Sequence, residues 1–247
     1  FPDPSYDGLI REKCPYQFSN YRYAAHETVF FAGCNFPSFF PETTERLVQE
    51  FAKHDVGVIY DCCGKPIEEL GLFEEASGML AAMNQKLRKK GVKQLVMACP
   101  NCYYFLKDRL DVEVISVYEK MKELGIGEPI VVERIPVFLP CPDRKEKTFL
   151  SDILPFLDGE VVDAFPDVQC CGLGGCASRK EPDVVKKMVD KTMETGEREV
   201  YTYCASCICS YRRQGYENVK HFLPMMMGVE EKVPLGEAPI RNREQCK

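Results

Sequence analysis

The sequence predicts an α/β protein made of two tandem, homologous units with mostly parallel sheets, related by a pseudo-twofold. Three observations lead there. Five cysteine positions occur twice in the same order: Cys34, Cys62-Cys63 and Cys99-Pro-Asn-Cys102, then Cys141, Cys170-Cys171 and Cys204-Ala-Ser-Cys207. Equivalent positions lie 107, 108, 108, 105 and 105 residues apart, the mark of a duplicated unit. Each cysteine group closes a short run of β-branched or aromatic residues, and amphipathic helical patterns separate these runs. Strands alternating with helices of this length build parallel sheets.

The first strand is read at Thr28 to Gly33, running into Cys34, and a helix follows over Glu42 to His54. Val56 to Tyr60 is the strand ahead of Cys62. From Phe73 the residues Ala76, Leu80, Met83 and Leu87 keep helical spacing, and Gly91 supplies a stop. Gln94 to Ala98 is the strand ahead of Cys99. The second unit repeats the series: a strand at Ile135 to Pro140, a helix over Lys145 to Leu157 interrupted by Pro155, and a strand at Val161 to Phe165. A helix through Val184, Val185, Met188, Val189 and Thr192 ends before Gly196, and Glu199 to Tyr203 is the strand ahead of Cys204. Val219 to Phe222 is a candidate final strand. Gly and Pro cluster between Gly125 and Glu133, where the units join. The expected divisions are an N-terminal arm (1–25), a first repeat (26–126), a second repeat (127–227) and a C-terminal tail (228–247).

A chain of 247 residues can bury a substantial core, and its charged and apolar fractions are those of a soluble globular protein. The net charge of −6 gives no support for a nucleic-acid partner. No apolar stretch approaches the ~18 residues of a membrane span. The start, Phe1-Pro2-Asp3-Pro4, lacks a charged-then-apolar leader pattern, so a cytoplasmic location without a transmembrane segment is expected.

The anomaly is 14 cysteines. Disulfide-dense scaffolds are small and secreted, so reduced, metal-binding thiols are the better reading here. Ligands of open parallel sheets bind at the carboxyl ends of strands, which gathers Cys34, Cys62, Cys63, Cys99 and Cys102 in one pocket and Cys141, Cys170, Cys171, Cys204 and Cys207 in another. Both Cys-x-x-Cys elements lead into a helix, whose free N–H groups favour thiolate. Gly64 and Gly172, directly after the Cys-Cys pairs, let the backbone take unusual angles close to an inorganic centre. Structural zinc takes four ligands and an ordinary four-iron cube takes four cysteines, so five per repeat leaves one spare or marks a cluster that is not a simple cube.

The doubled pattern of one cysteine, then Cys-Cys-Gly, then Cys-x-x-Cys resembles the cysteine-rich CCG family, over about Val29 to Leu223. The B subunit of heterodisulfide reductase belongs to that family, and iron–sulfur subunits of glycolate and lactate oxidation are relatives. The resemblance implies two 4Fe–4S clusters, non-cubane in type, each held by five cysteines, with a cleft between them where a small thiol or disulfide substrate is split. It also implies partners: a ferredoxin-like iron–sulfur subunit and a flavoprotein subunit of a redox complex. Some relatives have lost cysteines from one repeat, which then holds zinc or nothing; here all ten positions are filled. Ferredoxin cysteine motifs precede the repeats in other relatives, whereas only Cys14-Pro15 does so here.

Outside the doubled pattern, His221 falls 105 residues after Ser116 and is a candidate catalytic proton donor, or a histidine packed on a strand. Arg179 and Lys180, and Lys65 in the first half, could hold an anionic substrate group or be solvated charge. Cys14, Cys176, Cys209 and Cys246 have no counterpart in the other repeat and read as ordinary cysteines. Three functions compete: a catalytic subunit reducing a disulfide-type substrate, an electron-transfer subunit of a glycolate- or lactate-type flavin dehydrogenase, and a zinc-stabilised scaffold.

Overall fold

The computed structural model of the chain describes residues 3–246; Phe1, Pro2 and Lys247 lie outside them. Helix α1 (Asp7–Lys13) precedes the first unit. That unit runs β1 (Thr28–Phe31), α2 (Phe36–Phe39), α3 (Pro41–Ala52), β2 (Gly57–Ile59), α4 (Lys65–Glu68), α5 (Phe73–Lys90), β3 (Gln94–Met97), α6 (Pro100–Leu106), β4 (Glu113–Ser116) and α7 (Val117–Leu124). Val29 to Phe31, Gly57 to Ile59 and Leu95 to Met97 are buried without alternation, as strands covered on both faces by helices must be. They form a parallel sheet in the order β2-β1-β3-β4. Phe31 lies opposite both Ile59 and Met97, so the three strands end level. The cysteines that follow them therefore leave from one sheet edge.

The second unit runs β5 (Ile130–Pro136), α8 (Thr148–Ile153), β6 (Leu157–Val162), α9 (Ala177–Lys180), α10 (Pro182–Met193), β7 (Val200–Thr202), α11 (Ala205–Arg213), β8 (Val219–His221) and α12 (Phe222–Met226). The pairs β5–β6 and β7–β8 are parallel, and a parallel bridge from Val137 to Tyr201 joins them. The Phe138 N–H donates to the Tyr201 carbonyl at 2.8 Å. The resulting order, β6-β5-β7-β8, is that of the first sheet with equivalent strands exchanged, so the α/β duplication is a structural one. The cores of the two units merge: Phe149 packs on Tyr103 and Tyr118 of the first unit and stacks on Tyr203 of the second.

Boundaries shift most around β6. The helix expected over Lys145 to Leu157 begins at Thr148 and ends at Ile153, because Pro155 cannot donate an N–H to continue it. The freed residues enter the strand, which begins at Leu157, ahead of the expected Val161, and β5 lengthens toward its own start to pair with it. At Gly159, φ is +154° and an added Cβ would come within 1.7 Å of the Val132 carbonyl oxygen, so that close crossing admits only glycine.

The two chain ends dock on the body. Tyr6, Tyr16 and Phe18 of the arm are buried, and Tyr16 and Phe18 pack against Cys34 and Cys62. In the tail, Glu231 caps α3 by accepting the Glu42 N–H (2.8 Å) and Thr43 N–H (3.1 Å). Helix α13 (Ala238–Glu244) then packs on α2, where Asn242 donates to the Ser38 carbonyl (2.9 Å) and Arg243 to the Ser38 hydroxyl (3.2 Å). The Asn20 side chain donates to the Cys246 carbonyl at 2.8 Å, tying arm to tail.

Candidate functional site

Each Cys-x-x-Cys element is a strand–helix corner. Cys99 and Cys204 are the N-cap residues of α6 and α11, both with extended backbones (φ −116°, ψ 124° and φ −128°, ψ 115°). Cys102 and Cys207 follow inside the first helical turn. The Cys-Cys pairs end in left-handed glycines, Gly64 (φ +89°) and Gly172 (φ +75°). This is the conformational freedom expected of them, but neither glycine lines the cysteine cavity. Gly64 caps α4, and a Cβ on Gly172 would strike Val185 of α10 at 2.5 Å. Gly174 and Gly175 of the following loop line the cavity instead.

All fourteen cysteines are free. The ten repeated thiols form one unbroken series of contacts: Cys34 to Cys62, Cys63, Cys102 and Cys99, across the repeat boundary to Cys204, and on to Cys207, Cys171, Cys170 and Cys141. Read from either end, equivalent cysteines come in the same order, and the central contact joins the equivalent pair Cys99 and Cys204. Nine of the ten line one cavity of about 200 Å³; Cys62 lies behind, 1% exposed. The Asn101 amide reaches the Cys204 sulfur at 3.7 Å and the Asn35 amide the Ser206 hydroxyl at 2.8 Å, both between repeats. The two sets differ in access. Cys34, Cys62 and Cys63 are buried, whereas Cys141 is exposed and Cys170 half-buried.

The thiols divide protons unevenly. Cys63 is pushed down to about 5 by Cys102 and Cys62 donating to it. Cys170 is pushed down to about 2 by Cys141 and Cys171. Cys204 lies well below the thiol range, because Cys207 and Cys99 donate to it and the N–H groups of Cys207 and Ser206 add to this. The donors Cys102, Cys141, Cys171 and Cys207 are correspondingly pushed up, first by those hydrogen bonds and then by burial. Each repeat thus holds sulfur as thiolate inside a crowd of thiols, the form that binds soft metals. Among the described residues no group of three or more His, Cys, Asp or Glu is arranged to hold a single metal ion. The sulfurs surround a volume instead, several times the ~30 Å³ share of one water. Such a donor set fits a polynuclear, sulfur-ligated group.

Lys13 of α1 also lines this cavity and is 4% exposed. Burial disfavours its charge, yet Cys34, Cys62 and Glu12 together hold its ammonium above the usual lysine value. Nothing in the cysteine pattern pointed to it, because the arm lies outside the repeats. Lys65 lines the cavity as well and is paired with Glu69. Arg179 and Lys180 are turned away: Arg179 donates to the Ser5 carbonyl with its guanidinium 4.8 Å above the Tyr6 ring, and Lys180 pairs with Asp3. These cations anchor the arm and leave the cavity.

His221 does not line the cysteine cavity. Its Nδ1 accepts the Leu223 N–H at 3.2 Å, capping α12, and its ring packs against both Phe36 and Phe40, with centroids 5.4 and 5.0 Å away. Burial pushes its pKa down to about 4, so the ring is neutral at pH 7. Cys209 is fully buried in α11, Cys14 and Cys246 belong to the docked ends, and Cys176 meets Tyr6.

Among solved structures the chain is similar to an aspartate racemase homologue from Pyrococcus horikoshii, with 13% identity, 82% of this chain and 96% of that chain covered, and a TM-score of 0.35. It is also similar to Picrophilus torridus aspartate racemase, with 11% identity, 88% and 98% covered, and a TM-score of 0.39. No curated protein matches. The profile of the CCG cysteine-rich domain matches twice, over residues 28–107 and 136–212, which is more than half of the chain and takes in each Cys-Cys-Gly and Cys-x-x-Cys group. The chain belongs to the CCG cysteine-rich domain family.

Proposed function

We propose that the chain is a heterodisulfide reductase B-like subunit whose two cysteine sets each hold a four-iron iron–sulfur group and which reduces a disulfide-type substrate. The observation that carries this reading is the unbroken, mirrored series of ten thiols, nine of which line one cavity. When bound, such groups supply single electrons and an iron site with affinity for thiolate sulfur. Splitting a disulfide consumes two electrons and two protons and yields two thiols. The electrons come from outside the chain, through ferredoxin-like and flavoprotein subunits.

The chain's own residues set the approach. The exposed Cys141 and half-buried Cys170, beside the loop of Leu173 to Gly175, make the second set the accessible one. The first set is closed by Tyr16, Phe18 and Lys13. Asn35, Asn101 and Ser206 lie between the sets and can orient a polar substrate group. Lys65, at the cavity wall, is the cation an anionic substrate would meet, in exchange for its pairing with Glu69.

One observation favours electron transfer alone, in a complex with a flavin dehydrogenase for a hydroxy acid. A cavity of about 200 Å³ is smaller than the ~300–1,000 Å³ of typical ligand pockets, before any cluster occupies it. Anaerobic purification with iron, acid-labile sulfide and electron paramagnetic resonance decides the central point. Roughly eight irons per chain with matching sulfide are expected. Zinc without sulfide would leave a scaffold. Turnover of a disulfide substrate with reduced carrier separates catalysis from electron transfer.

A further inference from the structure

Lys13 helps to close the first set and also brings a buried charge to the cavity wall. Lysine is almost never fully buried unless paired. Its ammonium lies 4.9 Å above the ring of Tyr16, which packs on Cys34 and Cys62. Its ion-pair partner is Glu12 at 2.8 Å, yet Glu12 is shared with Arg243 at 3.0 Å. One carboxylate between two cations leaves about +1 on this side of the first cysteine set, and on the other side the buried Asp61, which accepts the Cys62 N–H at 2.8 Å, is offset by Lys86 at 3.7 Å. Among the described residues the Lys13 nitrogen, on a side chain 5% exposed, finds no well-formed hydrogen bond beyond its ion pair. Among the described residues lining the cavity the other cation is Lys65, which acts on Cys170 of the second set but is 28% exposed and paired with Glu69.

We propose that Lys13 is the fixed counter-charge of the group held by the first cysteine set, and that it makes this group the easier of the two to reduce. The inference rests on the reading that both sets hold iron–sulfur groups. Reduction adds one electron and breaks no bond, so the group gains negative charge. A fixed cation in a site shielded from water stabilises that added charge. Arm and tail thereby turn two similar cysteine sets into unlike ones, a buried set that holds an electron and an open set that faces solvent.

The test is an anaerobic redox titration of the full chain, followed by electron paramagnetic resonance, on wild type, Lys13→Met, Lys13→Arg and Glu12→Gln. Methionine keeps length and flexibility without charge. In Lys13→Met one of the two signals is expected to fall in potential. At fixed potential its reduced-to-oxidised ratio drops at least about tenfold, ~59 mV for a one-electron couple, while the other signal stays. Lys13→Arg should keep the wild-type value, and Glu12→Gln should move the same signal upward. The proposal is overturned if Lys13→Met retains iron and sulfide with neither signal moved, if both signals move equally, or if Lys13→Arg shifts as far as Lys13→Met. Should Lys13→Met fail to fold or load, Glu12→Gln decides alone: an upward shift of one signal supports the proposal, and no shift overturns it. Zinc without sulfide in the wild type is a separate result, obtained before any variant is made. It removes the iron–sulfur reading and this inference with it.

Discussion

At position 221 the chain places a histidine where its first repeat has Ser116, and the two side chains do the same work. The Ser116 hydroxyl accepts the Glu119 N–H at the start of α7, as His221 Nδ1 accepts that of Leu223 at the start of α12. The histidine adds a titration. In the unfolded chain it takes up a proton near pH 6.5, but burial holds the folded value at about 4. Its contribution is therefore complete above about pH 6.5 and is lost as pH falls toward 4, since the unfolded state binds the proton first. His221→Ser keeps a cap and removes the titration. The stability gap between variant and wild type is expected to narrow by about 2 kcal/mol from pH 7.5 to pH 5. A gap independent of pH would contradict the burial account. Turnover should be unchanged, whereas a ~10²–10⁴-fold loss with both groups retained would restore the histidine as an acid.

Between elements, Asp143 is the principal polar joint. It is fully buried, and its carboxylate accepts the hydroxyls of Tyr104 and Tyr203, both at 2.6 Å, and the N–H groups of Phe149 and Leu150, both at 3.1 Å. It thus ties α6 of the first repeat to α8 and the end of β7 in the second. Asp143→Ala leaves two phenols and two amides without that acceptor, a cost of about 3 kcal/mol. At ~2–4 °C per kcal/mol for a chain of this size, the thermal midpoint should drop by at least about 6 °C. A drop under ~2 °C would mean that water replaces the carboxylate. The sequence shows nothing of this joint, because a lone aspartate before a helix looks like any cap. It does show the strands ahead of Cys34, Cys62 and Cys99, since their apolar runs are buried on both faces. It misplaces β6, whose Leu157 to Val162 carries Asp158, Gly159 and Glu160 in an exposed edge. It also passes over β4, where only Ile115 and Ser116 are buried. Cysteine spacing reveals grouping because a repeat preserves it, and it carries Asn35 and Asn101 to the cavity beside their cysteines; Lys13 reaches it from the arm through a tertiary contact that no spacing encodes.

For the whole molecule the question is whether the ten thiols make two sites or one. Each sheet edge gathers its own five, and the sets meet through the Cys99 to Cys204 contact and the Asn101 amide. Separate strands and helix termini position each set, so loss of one ligand should not disorganise the other. Cys62 and Cys170 are equivalent and lie far from the shared contact in the thiol series, with Cys62 buried and Cys170 half-buried. Replacing either with alanine removes one sulfur and little volume. Cys62→Ala and Cys170→Ala are each expected to retain about half the wild-type iron and sulfide, roughly four irons, with one paramagnetic signal kept and a different one in each variant. The double variant should carry almost none. If either single substitution strips all the iron while circular dichroism shows the fold intact, the thiols act as one undivided site. The duplication would then be a scaffold for a single larger group, with Cys99 and Cys204 at its centre.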